Sequence, residues 1–137
     1  MNKEETVKRF LELFPEKKNA YTEHLSKFGE LLQHPFYAEN INIPLKALLE
    51  HNHDTAEIQK YCKLIEAMVQ EGDGDVKNVA DVTILECLSD DKEIWHRFGT
   101  YISNDLIRYI NTVLLRENIA MSGVARLVYH GRKRDNG

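Results

Sequence analysis

Val76–Leu88, VKNVADVTILECL, lies between two turn-forming clusters, EGDGD (71–75) and Ser89-Asp90-Asp91. Its apolar residues are Val76, Val79, Ala80, Val82, Ile84, Leu85, Cys87 and Leu88. Spaced about 100° apart on a helix, they leave no wide polar stripe. A helix apolar nearly all round has to be covered by other helices. It falls short of the roughly 20 residues that span a bilayer. The stretch therefore predicts an all-α fold, a compact bundle of about 6–7 helices around a buried central helix at 76–88.

The rest of the chain supplies the covering helices. Asn2 and Glu5 have capping-box spacing, and Val7, Phe10, Leu11 and Phe14 follow on one face. Pro15 opens a second helix running to about Gln33, with Tyr21, Leu25, Phe28 and Leu32 as its stripe. His34-Pro35 ends it. Residues 36–43 read as a loop that lays Phe36 and Tyr37 on the core, and Pro44 starts a short helix. Asp54 and Glu57 cap the next helix, whose stripe is Ile58, Tyr61, Cys62, Ile65, Met68 and Val69. From Lys92 to Asn118 helical spacing hardly pauses, with a break expected between Gly99 and Ser103 and Ser103 as the cap. Residues 1–120 form one helical domain in this reading, and 121–137 a basic, partly disordered C-terminal tail.

The formal charge of -4 hides an asymmetry. Arg126, Arg132, Lys133 and Arg134 against Asp135 give the tail a net of +3, which leaves the first 120 residues at about -7. An acidic body disfavours nucleic acid, because phosphate repulsion opposes it, and suits a protein partner with a basic face. Cys62 and Cys87 fall in apolar helical patterns without CxxC spacing, as core residues of a reducing compartment do. With no apolar signal region and no 18-residue apolar run, the chain is expected in the cytoplasm, off the membrane.

No nucleophile elbow, P-loop, dinucleotide fingerprint or HExxH occurs, so no catalytic residue can be named and no cofactor is implied. The most metal-like motif is HNHD, with His51, His53 and Asp54. Zinc needs three or four converging ligands, and Asp54 is better explained as a helix cap. EGDGD lacks the glutamate and glycine positions of a calcium loop. Arg97, Asn104, Arg108 and Asn111 lie within about 60° of one another on a continuous helix and form a candidate docking strip. Arg97 leaves that strip if the helix breaks at 99–103.

Three features, VKNVADVTILECLSDD, the tryptophan of IWHRF and LIRYIN, give residues 57–118 a resemblance to small uncharacterised all-helical bacterial proteins. Some of these resemble immunity proteins, which bind and neutralise a toxin made by the same cell. The resemblance implies the fold and a protein partner, and carries over no catalytic or binding residue. The expected function is thus a non-catalytic protein-interaction module, in finer form an immunity-type protein. The residues expected to meet the partner are Glu66, Glu71, Asp73, Asp75 and Asp90, with Arg97 and Arg108. The rival readings are a metal-dependent enzyme or metal-binding protein using His51, His53 and Asp54, and a nucleic-acid accessory using the basic tail.

Overall fold

The computed structural model describes residues 1–117 and 125–131. Among these residues the chain is all-α, with seven helices and no strand. They are α1 (Lys3–Leu13), α2 (Lys18–Phe28), α3 (33–51), α4 (Thr55–Glu71), α5 (74–88), α6 (Lys92–Gly99) and α7 (104–117). A 3₁₀ turn, Pro15–Lys17, joins α1 to α2. No helix is long and apolar enough to cross a membrane among the described residues.

Local chemistry sets most of the helix starts. Asn2 Oδ1 accepts the Glu5 N–H at 2.8 Å and Glu5 Oε1 accepts the Asn2 N–H at 2.9 Å, a complete capping box. Asp54 accepts from Glu57 N, Asp73 from Val76 N and Ser103 from Leu106 N. At the start of α6 the cap is Asp91, which accepts from Glu93 N and Ile94 N. The helix expected to reach Gln33 stops at Phe28, because Gly29 takes a left-handed φ of 78°. No residue of α2 is fully buried, so it is a peripheral element.

The core joins an aromatic cluster to an aliphatic one. Phe10 meets Phe36 and Tyr37 edge-on at 5.6 and 5.7 Å, and Phe14 stacks on Tyr61 at 4.2 Å, tying α1 to α3 and α4. Ile58, Leu64, Ile65 and Met68 of α4 then pack with Val76, Ala80, Ile84 and Leu88 of α5 in one continuous buried cluster.

Three helices contain a widened, π-helical turn: Ala38–Asn42 in α3, Val79–Leu85 in α5 and Ile110–Leu114 in α7. The first corrects the loop expected at 36–43. The chain stays helical there, because the wide turn accommodates Pro44, which cannot donate to the carbonyl four residues back. Phe36 and Tyr37 are buried as expected.

The second explains the sequence of α5. Each residue in a π turn rotates through less than the 100° of an α-helix. The slower winding gathers Val76, Val79, Ala80, Ile84, Leu85 and Leu88 onto one buried face. Val82 is left 46% exposed and Cys87 half-buried, so α5 is amphipathic and is not apolar on every side. The wide turns of α3 and α5 lie side by side, with Asn42 Nδ2 donating to Ile84 O at 3.2 Å.

Candidate functional site

The residues expected to meet a partner do not converge. Glu66 is consumed within the fold, accepting Ser103 N at 2.9 Å and Ser103 Oγ at 2.7 Å, which bolts the start of α7 to α4. Asp73 caps α5. Glu71 lies 3.5 Å from Arg9. Asp75 and Asp90 are exposed but sit at opposite ends of α5, about 22 Å apart at helical rise. Arg97 donates to Leu49 O at 2.9 Å and Glu50 O at 2.6 Å, where it closes the C-terminus of α3, and to Glu93 at 3.0 Å. Arg108 pairs with Asp105.

The HNHD loop runs from α3 to α4, with Asn52 and Asp54 both at positive φ. The His51 and His53 rings stack at 5.8 Å, nearly parallel, while Asp54 turns to its own helix. No three His, Cys, Asp or Glu side chains converge on a possible metal position among the described residues. Arg132, Lys133 and Arg134, on which a nucleic-acid role was expected to rest, lie outside the described residues.

A groove of about 730 Å³ runs between α1, α4 and residues 101–103, lined by Leu13, Leu64, Ala67 and Ile102 with Arg9 and Lys63. Glu12 and Glu71 also line it, so its charges are mixed.

The built site lies on α6 and α7. As expected, the helix breaks after Gly99 and resumes at Asn104, and the break removes Arg97 from the docking strip. Asn104 and Asn111 remain, seven residues apart on one helix. Each grips the backbone of a single residue of 125–131, a stretch placed in the C-terminal tail by sequence. Asn111 Nδ2 donates to Leu127 O at 2.8 Å while its Oδ1 accepts Leu127 N at 2.9 Å. Asn104 Oδ1 accepts His130 N at 2.8 Å, and its Nδ2 donates to His130 O at 3.4 Å. The segment therefore runs antiparallel to α7. Seven residues of helix advance about 10 Å, and three residues of chain with the threefold repeat of polyproline II cover about 9 Å and return to the same side, so the two clamps match the pitch of such an extended peptide.

Side chains complete the site. The buried Trp95 indole N–H donates to Ala125 O at 2.6 Å. Ala125 and Leu127 are buried while Arg126 and Val128 are exposed. Leu127 lies over Gly99, where a Cβ would come within 3.0 Å of its Cδ2. The His130 ring reaches Ile102 O at 2.7 Å through Nε2, which must carry the proton because a carbonyl only accepts.

Ordering seven residues costs about 7–14 kcal/mol of chain entropy. Six hydrogen bonds return about 3–9 kcal/mol. Burying Leu127 and Ala125 adds about 3 kcal/mol. The gains and the cost nearly cancel, so docking of the segment sits within a few kcal/mol of balance.

Below this strip Tyr109 donates to both carboxylate oxygens of Asp81, at 3.0 and 2.8 Å, joining α7 to α5. Burial raises the Asp81 pKa above the usual carboxylate value, with the Tyr109 hydrogen bond and Lys77 opposing the shift. Burial raises Tyr109 too, and its bond to Asp81 adds to the effect.

A helical bundle that closes a pair of carboxamide clamps on an extended segment is the class of protein these features define. The chain belongs to the family described as a domain of unknown function (DUF7674), whose model matches residues 7–116. Trp95, Gly99, Asn104 and Asn111 lie inside that match, and the clamped segment lies beyond it. No curated protein and no solved structure matches the chain.

Proposed function

We propose that the protein is a non-catalytic interaction module that holds an extended polypeptide segment along α6 and α7. The observation that carries this reading is the match of pitch between Asn104 and Asn111 on the helix and His130 and Leu127 on the extended chain. A carboxamide sets an NH₂ donor beside a carbonyl acceptor, the complement of one residue's C=O and N–H. Such a clamp recognises main chain, and a partner's extended segment presents the same groups.

In its finer form the proposal is an immunity-type protein acting in the cytoplasm, with a toxin as the partner. Asp75 and Asp90 support it, being exposed and without an ion pair among the described residues. Charges so placed would speed encounter with a basic surface. The test is chemical crosslinking in cells producing wild-type protein or the Asn104→Ala/Asn111→Ala variant. A partner protein crosslinked by the wild type and lost with the variant is the expected result. Identical captures by the two folded proteins would sink the proposal.

A further inference from the structure

Resting on that interaction reading, we infer that residues 125–131 are a resident copy of the ligand, and that the external partner presents the same pattern in extended form: a small residue, a leucine-sized aliphatic two positions on, and a side-chain N–H donor three positions after that.

Each element of the pattern has a counterpart in the shallow groove along α6 and α7, a different surface from the one between α1 and α4. Ala125 is 5% exposed, and its carbonyl takes the only indole N–H in the chain. A larger side chain there would have to displace the core. Leu127 is 3% exposed and fills a slot that exists because position 99 has no Cβ. His130 supplies the donor to Ile102 O, in the break between α6 and α7, a carbonyl that no aliphatic side chain could satisfy. Arg126, Val128 and Tyr129 are exposed, with Val128 at 80%, so the groove leaves those positions unread.

Two observations separate ligand from receptor. The gripping residues, Trp95, Gly99, Ile102, Asn104 and Asn111, all fall inside the matched family domain, whereas Ala125, Leu127 and His130 all fall outside it. The grip is also almost wholly on main chain, which any extended segment can offer. The tethered copy has the advantage of an effective concentration on the order of millimolar. It therefore occupies the groove until a better or more abundant segment competes.

The experiment uses the full chain and a fluorescein-labelled heptapeptide of residues 125–131, ARLVYHG, followed by anisotropy. Wild-type protein should bind the peptide weakly, because its own copy competes. Leu127→Ser, which empties the aliphatic slot, should bind it about tenfold more tightly or better. Adding Asn111→Ala to that variant should abolish binding, as should leucine-to-alanine in the peptide. Should Leu127→Ser fail to fold, His130→Pro frees the second clamp at an exposed position and serves in its place. Equal binding by wild type and variant would overturn the resident-ligand inference while leaving the groove in place. No binding by a folded variant whose residue-127 amide exchanges freely would overturn the groove reading as well. A variant that elutes as a dimer with residue 130 still protected would make a second copy the occupant and overturn the external-partner inference.

Discussion

Replacing Asn111 with aspartate changes one atom of the first clamp and inverts half of its chemistry. Asn111 is 5% exposed, and its Nδ2 lies 2.8 Å from Leu127 O. Aspartate keeps the acceptor for Leu127 N but sets an oxygen against that carbonyl. Leaving a buried acceptor unsatisfied costs about 1–3 kcal/mol, and more when charge is involved. This is of the same size as the few kcal/mol within which docking balances, so at pH 7 residues 125–131 should leave while the helices stay folded. Protonation gives the carboxyl a donor again, so docking should return as pH falls through the titration of the introduced carboxyl, which burial pushes upward in the docked state. Trp95 is the one tryptophan of the sequence, and its N–H loses the Ala125 carbonyl on release. Its emission should shift to the red in the Asn111→Asp variant at pH 7 and return on acidification. Amide exchange at Leu127 and His130, slow in the wild type, should become fast with no change at Ile65 or Leu85. Slow exchange at Leu127 in the variant at pH 7 would refute the reasoning. So would loss of the whole fold, which would make the segment part of the core and remove it as an exchangeable ligand.

Other substitutions probe the scaffold. Glu66→Ala removes both acceptors from Ser103 and should lower unfolding free energy in urea by about 1–2 kcal/mol, with Glu66→Gln costing less. The raised pKa of Asp81 means that the folded state holds this proton more tightly than the unfolded chain does. Its contribution to stability is therefore fully present below the ordinary value near 3.8 and is lost as pH rises through the raised one. Asp81→Asn should remove that decline, so the difference between variant and wild type in denaturation midpoint should grow as pH rises from 3 and level off above the raised pKa. Cys62 is buried, its thiol pushed up to about 12 by burial and, less, by Glu66. Alkylation of native protein followed by intact mass should modify half-buried Cys87 first, with Cys62 reacting only after denaturation.

Helix starts were legible because capping is a local bargain. Asp54 and Ser103 each bond to an N–H three residues on, and local spacing alone can place such residues. The winding of α5 was not legible, because a π turn is chosen by what surrounds it, and spacing at 100° turned its single apolar face into an apparent ring. Residues 36–43 misled because His34-Pro35 looks like a helix stop and Pro44 like the start of the next helix. Yet Asn40 donates to Phe36 O within the helix, and Asn42 reaches across to α5. Of the candidate site, the strip through Asn104 and Asn111 was visible as helical spacing. Its occupant was not, because those bonds join residues 16 and 26 apart through side-chain amides. Arg97 and Glu66 had the charge of partner-facing residues, but a helix end and a serine cap consumed them.

Main-chain clamping also defines what the strip must reject. The N–H groups of Leu127 and His130 are both consumed, so an imino acid at either position forfeits a bond and sets a ring against a carboxamide. Neither clamp uses the N–H of Arg126, Val128 or Tyr129. The strip thus works as a stereochemical filter with a period of three, blind to most side chains and closed to proline at two fixed places. A proline scan of the heptapeptide would read that period directly, and N-methylation at the same two nitrogens would reproduce it without altering a side chain.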